Sequence, residues 1–172
     1  MLDLLGSILI IGGMTGLGIL YLEKERQQMG ELEQFSYLFR LLKSEISFKK
    51  QPLPFACRCA GEKIKGEKGR ILKEIAGEMD GGSGRSFSQL WKEKWGSFLQ
   101  TSCLTCEEQQ RVVDFSAFVG YEEESMQENM MEHQIEEFRR LAERKREELE
   151  KKKRVVMLLC SCIGILFVLI LL

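Results

Sequence analysis

Residues 122–172, EEESMQENMMEHQIEEFRRLAERKREELEKKKRVVMLLCSCIGILFVLILL, decide how this chain is built. From 122 to 154 there is neither Pro nor Gly, and Met131, Ile135, Phe138, Ala142 and Leu149 recur at steps of three and four, with Lys145 in the one polar seam position. That spacing draws one apolar stripe along a single helix. At 1.5 Å per residue its roughly 33 residues make a rod of about 50 Å. Every residue of 155–172 is uncharged, and as a helix this run reaches about 27 Å, close to the ~30 Å hydrocarbon layer of a bilayer. A C-terminal transmembrane helix over 155–172 is therefore expected.

A second uncharged run, 4–22, has Asp3 before it and Glu23, Lys24, Glu25 and Arg26 after it. Gly6, Gly12, Gly13, Gly16 and Gly18 dilute it, and Gly12 with Gly16 forms a small-xxx-small pair through which another helix could approach. A cleaved signal peptide would carry Lys or Arg ahead of the run and small residues at its exit. Here Asp3 leads and Leu20, Tyr21, Leu22, Glu23 follow, so the reading is a retained N-terminal transmembrane helix, 1–22.

Residues 23–154 then form one soluble domain. They hold all 25 Lys and Arg and all of the 26 acids except Asp3, in a chain of net charge −1. Balanced charge without long single-sign blocks points away from nucleic-acid binding. With Pro52 and Pro54 as the only prolines and no alternating β-branched run, the class is all-α. Leu32, Phe35, Leu38, Phe39, Leu42 and Ile46 share one face of a first helix that stops near Phe48 or Lys49, because Pro52 and Pro54 disfavour helical backbone at Gln51 and Leu53. Pro54 opens a second helix, and a third places Ile71, Leu72, Ile75 and Met79 inward. After the glycine-rich loop 80–84, Ser86 with Gln89 and Thr105 with Glu108 read as capping boxes. They open a fourth helix bearing Phe87, Leu90, Trp91, Trp95 and Phe98, and a fifth bearing Val112, Phe115, Phe118 and Val119. Gly120 caps the fifth before the long last helix. The sum is a six-helix bundle flanked by two transmembrane helices.

Cys57 and Cys59, with the CxxC of Cys103 and Cys106, could in principle make a four-thiolate zinc site. Two residues apart on one helix, however, Cys57 and Cys59 point in different directions, so the thiols read as small apolar fillers, and a thiol- or zinc-dependent membrane protein is the alternative. His133, the only histidine, lies between Glu132 and Glu136 on the long helix and reads as solvated surface. No phosphate loop after a strand, no HExxH and no paired-carboxylate motif occurs, so neither catalysis nor a cofactor is expected. Arg139, Arg140, Arg144, Lys145, Arg146, Lys151, Lys152, Lys153 and Arg154 all precede the second apolar run, which places the domain in the cytoplasm.

Leu38, Leu41, Leu42, Glu45 and Ile46, then the Pro52-Leu53-Pro54 turn, the helix from Gly84 to Trp91, and Phe118-Val119-Gly120 followed by Gln127 together resemble the stage III sporulation protein AB family over nearly the whole chain. Where that family has Leu-Gly and then an aspartate, this chain has Val119, Gly120, Tyr121 and Glu122. The resemblance implies a soluble domain similar to the helical domain of type II secretion F-type platform proteins. It also implies a non-enzymatic adaptor in the mother cell membrane, with the sporulation channel proteins, a cytoplasmic assembly ATPase and membrane lipid as partners. Association with further copies of the chain is left open. Arg40 and Lys43, on the polar face of the first helix, are the residues expected to meet the ATPase.

Overall fold

The computed structural model describes the backbone of residues 2–82, 84–119 and 124–171, and the side chains of 22–159 apart from 83, 120–125 and 157. Among the described residues there are six α-helices and no strand: α1 Leu2–Lys43, α2 Leu53–Lys63, α3 Glu67–Asp80, α4 Phe87–Thr101, α5 Cys106–Phe118 and α6 Glu124–Leu171. A π-helical turn, Ser44–Phe48, closes α1. Both capping boxes form: the Ser86 hydroxyl accepts from Gln89 N–H while the Gln89 side chain accepts from Ser86 N–H, and Thr105 and Glu108 repeat the exchange. These reciprocal bonds satisfy donors that a bare helix start leaves without partners.

The chain divides into two compact units, Glu31–Leu141 and the pair of segments Met1–Gly30 and Ala142–Leu172. In the first unit six large aromatic side chains, Phe35, Phe39, Trp91, Trp95, Phe115 and Phe138, are fully buried. Phe39 stacks on Phe115 with centroids 3.9 Å apart, meets Phe138 edge-on at 5.1 Å, and Phe35 meets Trp95 edge-on at 5.2 Å. One aromatic layer thus ties α1 to α4, α5 and α6. Trp91 also donates Nε1–H to the Val112 carbonyl at 2.8 Å, which gives its one polar atom a partner on α5. Phe98 and Phe118, expected inside, are only half-buried; Leu99 takes the inner position beside Phe98, while Val119 is buried as expected.

Helices α2 and α3 form a hairpin that only glycine permits. A Cβ on Gly69 would lie 2.0 Å from the Ile64 carbonyl oxygen and 2.8 Å from that of Gly61, so the two backbones touch where side chains would otherwise hold them apart. Lys68 follows from this approach. It occupies the inner stripe four residues ahead of Leu72 and is 6 % exposed. Its Nζ donates to Gln34 Oε1 at 2.7 Å and lies 4.9 and 5.4 Å from the ring centroids of Phe35 and Phe98.

In the second unit Glu25 sits between two lysines of α6, accepting from Lys145 at 3.4 Å and from Lys152 at 2.8 Å. The polar seam position of the long helix is thereby matched. No helix, among the described residues, is long and apolar enough to cross a membrane. The side chains of 4–21, with Gly12 and Gly16, and most of those of 155–172, with Cys160 and Cys162, lie outside the described residues, as does Gly120.

Candidate partner-binding site

Among the described residues of the Glu31–Leu141 unit, the corner from α1 to α2 carries a π-helical turn, a left-handed non-glycine residue and the most exposed aromatic side chain. Its π turn is closed by Lys49 N–H on the Ser44 carbonyl at 3.3 Å, one residue wider than an α-helical bond. The widening changes which side chain follows Leu42 inward: Glu45 is buried and Ile46, expected in the core, is half-buried. Lys50 then takes a left-handed φ of 50°, and Pro52 to Pro54 start α2 with no side-chain cap. Gln51 N–H donates back to the Glu45 carbonyl at 3.2 Å and closes the corner.

A buried carboxylate needs partners. Glu45 Oε1 accepts from Lys63 at 2.8 Å and from Lys49 at 2.9 Å. The Lys63 bond, then the Lys49 bond, holds the Glu45 carboxyl below the usual carboxylate range, and the same Glu45 bond raises Lys63. The triad pins the π turn to the end of α2; its charges are fixed, and its acid is poorly placed to accept a proton near neutral pH.

Around this anchor the surface is aromatic and basic. Phe48 is 78 % exposed and Tyr37 and Phe55 each 46 %. Exposed Tyr37 and Phe48 lie on either side of half-buried Leu41 and Ser44 along α1 and its π turn. Arg40 is exposed and has no partner among the described residues. Lys43 is different: it is only 14 % exposed and pairs with Glu132 and, at 3.5 Å, with Glu128 of α6. The expectation that Lys43 offers a free charge on the polar face is corrected; reversing it would crowd three carboxylates and strain the α1–α6 contact.

Elsewhere the named residues have structural duties. Gln127 donates Nε2–H to the Val119 carbonyl at 2.9 Å, so the glutamine of the family-like motif caps the end of α5. No sequence rule for caps signals that bond, since eight residues separate donor and acceptor. Leu53 and Pro54 are half-buried within the first turn of α2, Trp91 is core, and His133 is exposed. Cys57 is buried with its thiol pushed up to about 12 by desolvation, Cys59 and Cys103 are intermediate and Cys106 is exposed. Among the described residues no group of three or more His, Cys, Asp or Glu side chains is placed to hold a metal ion.

Comparison with known proteins accords with this geometry. No curated protein sequence matches the chain. A solved structure described as Stage III sporulation protein AB matches with a TM-score of 0.65 at 14% identity, over 72% of this chain and 97% of that one, which shows a shared fold. The sequence profile of the Stage III sporulation protein AB family matches residues 3–172. An all-α chain whose family-like motifs build a pinned helical corner and cap α5, and whose whole length fits that profile, belongs to the Stage III sporulation protein AB family.

Proposed function

We propose that this chain is a membrane-anchored, non-enzymatic adaptor of the stage III sporulation apparatus, comparable to a secretion-system platform protein, and that it joins a cytoplasmic assembly ATPase to the membrane part of that machine. Family membership supplies the setting. The two uncharged runs 4–22 and 155–172 supply the anchors, and the arginines and lysines preceding the second run put the domain in the cytoplasm. The observation that carries the reading is the corner. Tyr37 on α1, Phe48 on the π turn and Phe55 on α2 leave apolar area in water, and Arg40 on α1 is exposed with no partner among the described residues; exposed aromatic and arginine side chains are what partner surfaces favour.

The test is Arg40→Glu combined with Phe48→Ser in a sporulating host. Both positions are exposed, so helical content and carbonate-resistant membrane association stay as in the parent. Co-purification of the ATPase and the yield of heat-resistant spores both fall. Undiminished co-purification and spore yield would refute the corner as the contact. Normal spore yield on deleting the gene would refute the adaptor role altogether, and labelling of the exposed Cys106 by an impermeant reagent in intact cells would refute the topology.

A further inference from the structure

We infer that the chain holds the headgroup of an amine-bearing phospholipid, a phosphoethanolamine group, in a cleft between α1 and α6 where the two apolar runs begin; this rests on the membrane-anchored reading above. The cleft, of about 350 Å³, lies wholly within the unit formed by Met1–Gly30 and Ala142–Leu172. That volume suits a small ligand. Its place is set by the sequence: Leu22, in its wall, is the last residue of the first uncharged run, and Lys153, also in its wall, stands two residues before the second. A chain anchored by both runs has this cleft at headgroup depth.

Half-buried Leu22, Met29 and Leu149 make an apolar floor, on which the glycerol end of the acyl chains can rest. The rim is charged and exposed: Arg26, Arg146 and Lys153 with Glu23 and Glu150. Nearby Lys145 and Lys152 are engaged by Glu25, whereas none of the five rim charges has an ion-pair or hydrogen-bond partner among the described residues. Both signs are therefore available in one small cleft. Guanidinium and ammonium donors suit a phosphate diester, and carboxylates suit a primary ammonium with its three N–H donors. A purely anionic headgroup would leave Glu23 and Glu150 opposed, and a choline headgroup has no N–H to give them.

The experiment reconstitutes the full chain into vesicles of equal parts phosphatidylethanolamine, phosphatidylcholine and phosphatidylglycerol, extracts it in mild detergent, and counts retained lipid by native mass spectrometry. Phosphatidylethanolamine adducts exceed phosphatidylcholine adducts, and Arg26→Gln with Arg146→Gln lowers them at least about tenfold, since each lost charge-assisted hydrogen bond is worth about that factor. Glu23→Gln with Glu150→Gln removes the preference over choline, and Arg144→Gln, outside the cleft, changes nothing. Equal retention of the ethanolamine and choline lipids by the parent chain overturns the inference, as does phosphatidylglycerol as the dominant adduct. Carbonate extraction of the chain from vesicles would instead overturn the membrane reading, and the site with it.

Discussion

Lys68→Met is the sharpest probe of how this domain balances its core. Lys68 is 6 % exposed, and its ammonium has one hydrogen bond, to a neutral amide, and two aromatic faces in place of water. Removing it forfeits roughly 0.5–2 kcal/mol of cation–π attraction and about 1 kcal/mol of hydrogen bonding. Against that stands the burial of a charge, which costs several kcal/mol even after relaxation. Gln34 is exposed and turns to water at no cost, while Glu31, whose Oε2 is buried without a partner, loses a neighbouring cation and trims the gain. Methionine fills nearly the same volume. The net expectation is a stabilisation of about 1–2 kcal/mol at pH 7, or a rise in Tm of about 3–8 °C. Desolvation lowers the Lys68 pKa from the ordinary 10.5, so between that lowered value and 10.5 the unfolded chain binds more protons than the folded one, and the parent gains stability as pH rises. The methionine variant lacks that gain, and its advantage narrows toward pH 10. Thermal unfolding followed by tryptophan fluorescence at pH 7 and pH 10 measures both, because Trp91 and Trp95 lie in the core. A variant less stable than the parent by more than 1 kcal/mol at pH 7, with no convergence at pH 10, would refute the reasoning.

Three further outcomes are expected. Glu45→Gln costs about 1–3 kcal/mol at pH 7 and flattens the acid limb: a folded pKa held below the ordinary 4.5 contributes stability that is complete above 4.5 and lost as pH falls through the folded value, as urea midpoints from pH 3 to 7 would show. Trp91→Phe costs about 1–2 kcal/mol more than Trp95→Phe in the same assay, since it strips the Val112 carbonyl of an indole partner, whereas Trp95 Nε1 is buried without one. Gly69→Ala and Gly77→Ala have opposite signs in thermal melts. The first drives a methyl into the Ile64 carbonyl and loses several kcal/mol, and the second, with nothing within 4 Å in mid-helix, gains about 0.5–1 kcal/mol.

Helix number, the two capping boxes and the core stripe through Met131, Ile135, Phe138 and Ala142 were legible in the sequence because each depends on neighbours within one or two helical turns. What tertiary structure alone decided involves partners far apart in the chain. The π turn exchanges Ile46 for Glu45, and only Lys63, eighteen residues on, makes a buried carboxylate tolerable there. Lys68 reads as an ordinary helix opening until the contact at Gly61 and Gly69 brings it under Phe35 and Phe98. Lys43 looks like free surface until α6 presents Glu128 and Glu132. Local periodicity says which face of a helix turns inward; which charge is satisfied there depends on what the other helices bring, because Coulomb attraction and desolvation act through space and take no account of sequence separation.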